Sequence, residues 1–178
     1  NDSANYRDIT NIQPWQDFNF NTIWNEHNHV LMNATVEYDS LPPSPQRSVN
    51  SETLVRAEVC ELLRPRIRCA LRSSFAFTAS FWGMQSLTEL TFNTGKAARV
   101  IHQCEPDLAF FDINVQIGHA ENRVPWDIKP SYKWNRAMKN APGSPYLQNE
   151  FKQVLSQVNL YMKQHGTRYG FVFTNQEL

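Results

Sequence analysis

The sequence predicts a mixed α/β fold, a central mixed sheet flanked by helices, and three observations carry that reading. Two apolar runs of strand-like composition, "CEPDLAFFD" (104–112) and "RVPWDIKP" (123–130), lie one loop apart. Two amphipathic stretches of helical period stand on either side of them, at 51–72 and 147–164. A β-rich segment, 168–174, follows the second helix. Hydrophobic residues make up 41% of the 178, enough to build one core and one main domain.

Residues 1–48 read as an aromatic-rich arm ending in a Pro/Ser linker, and 49–178 as the domain proper. Trp15, Phe18, Phe20 and Trp24 give the arm the means to wrap onto the core, and "DSLPPSPQRS" (39–48) marks the boundary. His27 and His29 beside Glu26 form a candidate transition-metal pair. No third ligand is spaced to match, and a polar surface turn is the simpler account.

The first core helix opens at Ser51, a good N-cap, with Glu52 in the first turn where the helix dipole favours a negative charge. Val55, Val59, Leu62 and Leu63 form its apolar face. Counting about 100° per residue, Glu52 falls on that face, Glu61 opposite it and Glu58 well off it. A carboxylate turned inward requires a partner or a metal, although an ordinary first-turn acid is an equal account. Pro65 is expected to break or kink the helix. Arg64, Arg66, Arg68 and Arg72 form a basic cluster suited to phosphates or to an exposed helix end.

Between 73 and 104 a first core strand is expected without a fixed position. "FAFTASFW" (75–82) has strand-like composition, "KAARVIHQ" (96–103) reads as strand or helical turn, and Met84–Glu89 as a short helical insertion. His102 and His119 carry no assignment, a structural role standing ahead of a catalytic one. The two motif strands, 106–113 and 123–129, are expected to pair antiparallel, and Pro130 ends the second. "SYKWNRAMKNAPGSP" (131–145) then interleaves Lys133, Arg136 and Lys139 with Tyr132 and Trp134. That pattern suits a nucleic-acid backbone, while Trp134 alternatively covers core. In the last helix, 147–164, Phe151, Val154, Leu155, Val158 and Met162 form the apolar stripe. Glu150, Gln153, Gln157 and Tyr161 line one shoulder, and Gly166 is the stop.

The chemistry rests on the two motif strands. Side chains alternate along a strand, so Asp127 and Lys129 share a face, with Trp126 and Ile128 on the other; Asp107 leads a face continued by Ala109 and Phe111. If the strands pair, two carboxylates and one ammonium converge. Two carboxylates suit a hard divalent cation such as Mg²⁺, and a lysine beside them can orient a water or offset charge on a phosphate. Either half alone is commonplace, since Pro-Asp starts many turns and Asp-x-Lys sits on many strand edges. Seventeen basic residues balance seventeen acidic ones, so any attraction for nucleic acid must be local. Cys60, Cys69 and Cys104 have no metal-ligand spacing and are odd in number, which points to a reduced, intracellular protein of cytoplasm or nucleus. No apolar run approaches a membrane span, and Asn33-Ala34-Thr35 is taken as a chance glycosylation triplet. The chain reads as part of a longer protein.

The pattern Pro106-Asp107 … Asp127-Ile128-Lys129 resembles the PD-(D/E)xK nuclease superfamily. "DIKPSYKW", "QVLSQVNLYM" and "RYGFVFTNQEL" look more narrowly like the domains of that kind in fungal kinase-fused and spore-killer proteins, over about 51–178 and mostly 105–178. The resemblance implies a restriction-endonuclease-like core and a nuclease dependent on Mg²⁺ or Mn²⁺, acting on DNA ahead of RNA and possible as a homodimer, with further domains flanking it. It implies metal binding by Asp107, Asp127, Glu52 and the carbonyl of Ile128, with Lys129 as the water-positioning cation. Gln157 would steady Lys129 or a phosphate oxygen, with Gln153 as its stand-in. The alternative is a catalytically inactive scaffold used as a protein-interaction or regulatory module.

Overall fold

Four short strands form one mixed sheet in a computed structural model that describes residues 3–36, 50–82 and 87–176. β1 (Leu90–Thr94) pairs antiparallel with β2 (Leu108–Asp112), Leu90 opposite Asp112 and Thr94 opposite Leu108. β2 pairs antiparallel with β3 (Trp126–Ile128) through Leu108 opposite Trp126, as the sequence predicts. β3 runs parallel to β4 (Phe171–Phe173), and the connection between them carries a long helix, as parallel strands require. The motif strands are shorter than expected because Pro106, Pro125 and Pro130 have no N–H to extend the ladder. Between β2 and β3 the buried side chain of Asn122 substitutes for a strand. It accepts from Phe110 N (3.2 Å) and Val124 N (3.2 Å) and donates to Leu108 O (3.2 Å).

One face of the sheet, Phe92, Leu108, Trp126 and Ile128, packs against Val55 and Val59 of a helical rod built from three parts. These are α2 (Glu52–Glu58), a π turn (Val59–Leu63) and α3 (Arg64–Trp82); α1 (Phe20–Asn33) lies earlier, in the arm. Ser51 caps the rod by accepting from Leu54 N. The expected break at Pro65 does not occur. In a regular α-helix the proline ring would strike the carbonyl of Glu61; the π turn just before it widens the coil, with Arg64 N bonded to Val59 O. "FAFTASFW" is likewise helix, not strand. Phe77 and Phe81 stack one turn apart with centroids 5.6 Å apart, a contact that only helical spacing permits. "KAARVIHQ" forms neither strand nor α-helix. A 3₁₀ turn spans Gly95–Ala97, and Ile101 pairs with Cys104 around His102 and Gln103, which take φ of 50° and 62°. The first core strand is β1, within the 73–104 stretch.

The other face packs against α4 (Pro145–His165), where Phe151 and Val158 join Trp134, Met138 and Val172. Ser144 caps α4, and Gly166 ends it at φ 60°, as predicted. The arm lays its first residues on this layer, where Tyr6 and Ala4 bond Gln153, and carries α1 on to α3, where His29 meets the rings of Phe77 and Phe81. Trp15 stacks on Tyr169 at 5.2 Å, Phe18 meets Phe171, and Ile12 joins the Trp134 cluster. The linker 39–48, the boundary at 48 and Met84–Ser86 lie outside the described residues, and 87–89 are not helical. No described helix is long and apolar enough to cross a membrane.

Gly95 fixes how β1 meets the motif. Its N–H donates to Asp107 O (2.9 Å), and a Cβ added there would lie 1.7 Å from Pro106 O. Backbone cannot yield as a side chain does, so Gly95→Ala should lower stability by about 2 kcal/mol or more. Urea unfolding of the two proteins checks it, and equal midpoints would remove the close approach.

Candidate active site

Asp107 stands one residue before β2 and Asp127 in the middle of β3, so both carboxylates leave the antiparallel pair at the same end. Pro106, buried and without an N–H, starts the segment, and Gly95 holds its backbone. Asp107 Oδ2 accepts from the backbone N–H of Ile128 (2.7 Å), so the first carboxylate is bolted to the strand that carries the second. Lys129, just past β3, puts its ammonium 2.9 Å from Asp127 Oδ2, 3.7 Å from Glu52 Oε2 and 3.2 Å from the Ile128 carbonyl. Trp126 and Ile128 turn into the core on the opposite face. The structure thus brings Asp107, Asp127, Lys129, Glu52 and the Ile128 carbonyl together.

Glu52 reaches the group from the first turn of α2, on the face the helical count assigns to it. One turn later Arg56 points the same way. Its guanidinium binds Asp107 Oδ1 and lies 3.9 Å from Glu52. Sequence reasoning missed Arg56, although the i, i+4 spacing from Glu52 was there to find it. Three carboxylates (Glu52, Asp107, Asp127) against two cations (Arg56, Lys129) leave the ionised cluster a net charge of −1.

Burial sets the electrostatics. It pushes the Asp127 carboxyl up to about 6, against the charge and hydrogen bond of Lys129, while Asp107 and Glu52 add to the rise. It raises Asp107 too, against the Ile128 N–H and the charges of Arg56 and Lys129. For Lys129 burial favours the neutral amine, but Asp127 foremost, then Glu52 and Asp107, more than offset it and raise the pKa. Lys129 therefore keeps its proton at any physiological pH.

The remaining predicted residues lie elsewhere. Gln157 does not touch Lys129. It donates to the Tyr161 hydroxyl (2.6 Å), which donates to Glu105 O (3.2 Å), and so props the segment entering Pro106-Asp107. Burial raises Tyr161 to about 12, which keeps its hydroxyl a donor. Gln153 faces the arm, bonding Tyr6 N and Ala4 O. Lys139 bonds Ile12 O, also in the arm. Trp134 covers core, stacked on Phe151 at 5.1 Å with Nε1 donating to Phe151 O. Lys133 lines an open cleft of about 770 Å³ with exposed Tyr132 and Tyr146, and Arg136 lines another with Lys139 and Ile12. Of the early arginine cluster, Arg64 bonds Asn93 and Arg68 bonds Phe92 O, tying α3 to β1. His27 is beside Glu26 on an exposed helix face, and His29 meets the rings of Phe77 and Phe81. His165, unremarked in the sequence, accepts through Nδ1 from Asn122 N (3.2 Å) and supports the β2–β3 connection.

Among the described residues no group of three or more His, Cys, Asp or Glu side chains is arranged to hold a metal ion; Glu52, Asp107 and Asp127 are linked through Arg56 and Lys129. The donor chemistry nevertheless suits a hard cation. Asp127 Oδ2 is buried with only the Lys129 ammonium as partner, and that ammonium is itself surrounded by carboxylate and carbonyl oxygens. The two basic side chains occupy the space between the acids. No family model, curated protein or solved structure matches the chain.

The Asp127 pKa fixes the sign of a pH effect. Folded Asp127 holds its proton more tightly than an ordinary carboxyl at 3.8. Its contribution to stability is fully present below 3.8 and is lost as pH rises through about 6. Asparagine cannot lose it. The stability of Asp127→Asn relative to wild type should therefore increase between these two pH values and level off above. Urea titrations from pH 3.5 to 8 measure the difference, and a constant gap would contradict the assignment.

Proposed function

We propose that the chain is a divalent-metal-dependent nuclease of the PD-(D/E)xK type, built on a restriction-endonuclease-like core and hydrolysing phosphodiester bonds in DNA ahead of RNA. The observation that supports it most is the convergence of Asp107, Asp127, Glu52 and Lys129 at one end of the β2–β3 pair. A bound Mg²⁺ or Mn²⁺ would supply a Lewis acid and a template for in-line displacement at phosphorus. Asp107, Asp127, Glu52 and the Ile128 carbonyl are the oxygens that would hold it. Lys129, kept protonated by its neighbours, is no general base; it orients the attacking water by hydrogen bonding and offsets charge growing on the phosphate. Tyr161, itself bonded by Gln157, holds the Glu105 carbonyl and so keeps Asp107 in register. Lys133, in the cleft with Tyr132, is positioned in sequence to meet backbone phosphates beyond the site.

A second reading, an interaction module on the same scaffold, is favoured by exposed apolar residues on the arm and α3: Phe20 (72%), Met32 (69%) and Phe81 (68%). It has no use for a cation and tolerates Asp107→Ala.

Supercoiled plasmid with Mg²⁺ or Mn²⁺ should be nicked by the wild type, and Lys129→Ala should slow nicking by about 100-fold or more. Equal nicking by both removes the mechanism. Calorimetry should show saturable Mn²⁺ binding that Asp127→Ala abolishes; wild type without such binding leaves the module reading in possession.

A further inference from the structure

Arg56 belongs to neither half of the motif, yet it holds the Asp107 oxygen that Ile128 does not. Its guanidinium bonds Asp107 Oδ1 and neighbours Glu52, while 42% of the side chain remains open to solvent. Its Nε–H is buried and has no hydrogen-bond partner. Both Asp107 oxygens are engaged, Oδ1 by the Arg56 guanidinium and Oδ2 by the Ile128 N–H, so a dication bound to this carboxylate competes with a guanidinium that cannot give up its charge. It has somewhere to go. Its planar fork matches phosphate oxygens as well as carboxylate oxygens, and the unpaired Nε–H needs an acceptor.

We propose that Arg56 is an exchangeable plug: it neutralises Asp107 until a divalent cation displaces it, and then turns its fork to the scissile phosphodiester. This rests on the metal-dependent reading above. Lys129 and Arg56 then have separate duties. Lys129, 16% exposed and enclosed by Asp127, Glu52 and the Ile128 carbonyl, is fixed in place. Arg56, on the first turns of α2 and partly solvated, is the cation free to swing. Charge supports the exchange. The ionised cluster carries −1 with Arg56 in place, a dication brings it to +1, and one phosphodiester returns it to zero.

Two ligands that compete for one carboxylate are linked reciprocally, so removing the guanidinium must strengthen metal binding. The experiment is Mn²⁺ calorimetry at one fixed pH on wild type, Arg56→Ala, Arg56→Gln and Arg56→Lys, with Asp127→Ala as the site control. Arg56→Gln keeps an amide to bond Asp107 without the charge, so it remains informative if the alanine variant does not fold, which circular dichroism reports. Arg56→Ala and Arg56→Gln should bind Mn²⁺ about tenfold tighter. Arg56→Lys, which keeps the charge and loses the fork, should stay within about twofold of wild type. Plasmid nicking should fall in all three, with KM for DNA raised. Mn²⁺ binding no tighter in the uncharged variants, or nicking undiminished in them, overturns the plug while leaving the nuclease reading standing. Wild type with no Asp127-dependent Mn²⁺ binding overturns both.

Discussion

The ammonium of Lys129 and the carboxylate of Asp127 are nearly enclosed by protein, 16% and 3% exposed, and neither could be buried without the other. An isolated ion in such a place costs several kcal/mol, and the usual result is that it loses its charge. Here the Ile128 carbonyl and Glu52 complete the ammonium's surroundings, and Asp127 stays poised near a pKa of about 6. The rest of the structure can be read as what keeps that pair together. Ser51 starts α2 so that Glu52 reaches Lys129. Gly95 lets β1 close on Pro106. Tyr161 holds Glu105 from the opposite layer.

The helical rod shows how this constraint reaches into the fold. Its core-facing residues, Val55, Val59, Leu63, Ile67 and Leu71, recur every fourth position. In an ideal α-helix each such step drifts about 40° around the axis, so the stripe would leave the sheet within a few turns. The π turn at Val59–Leu63 underwinds the coil and reduces the drift, and it is also the turn that admits Pro65. One local device lets α2 present Glu52 and Arg56 to the site while α3 stays packed on β1 through Arg64 and Arg68.

What was legible in the sequence was what depends on local period. Alternation along a strand put Asp127 beside Lys129, and counting around a helix put Glu52 on their side. Arg56 lies within reach of the same count, one turn after Glu52, but its role depends on Asp107, a partner 51 residues away. Other features depend on partners distant in sequence. Gln157 and Gln153 sit four residues apart on one helix shoulder, yet one serves Tyr161 and the other the arm; only the arm's position separates them. "FAFTASFW" misled because composition favours a strand, while the Phe77–Phe81 stack and the continuity of α3 favour a helix, and tertiary context decides. Pro65 misled because the rule against proline holds for regular α-turns and the preceding turn is not one.

Charge joins the neutral composition to the proposed chemistry. With seventeen acids and seventeen bases the chain has no overall field to draw in a polyanion. Under the nuclease reading, the cluster in its metal-free form carries −1 and repels a phosphodiester. Attraction begins only after a dication has arrived and Arg56 has left Asp107. The order of events would then be built into the charge count: cation first, nucleic acid second. A strongly basic surface would have removed that order by holding DNA whether or not the cluster was ready. Under that reading, a locally acidic, cation-gated site on a neutral chain would keep nucleic acid away from carboxylates that are not yet able to act on it.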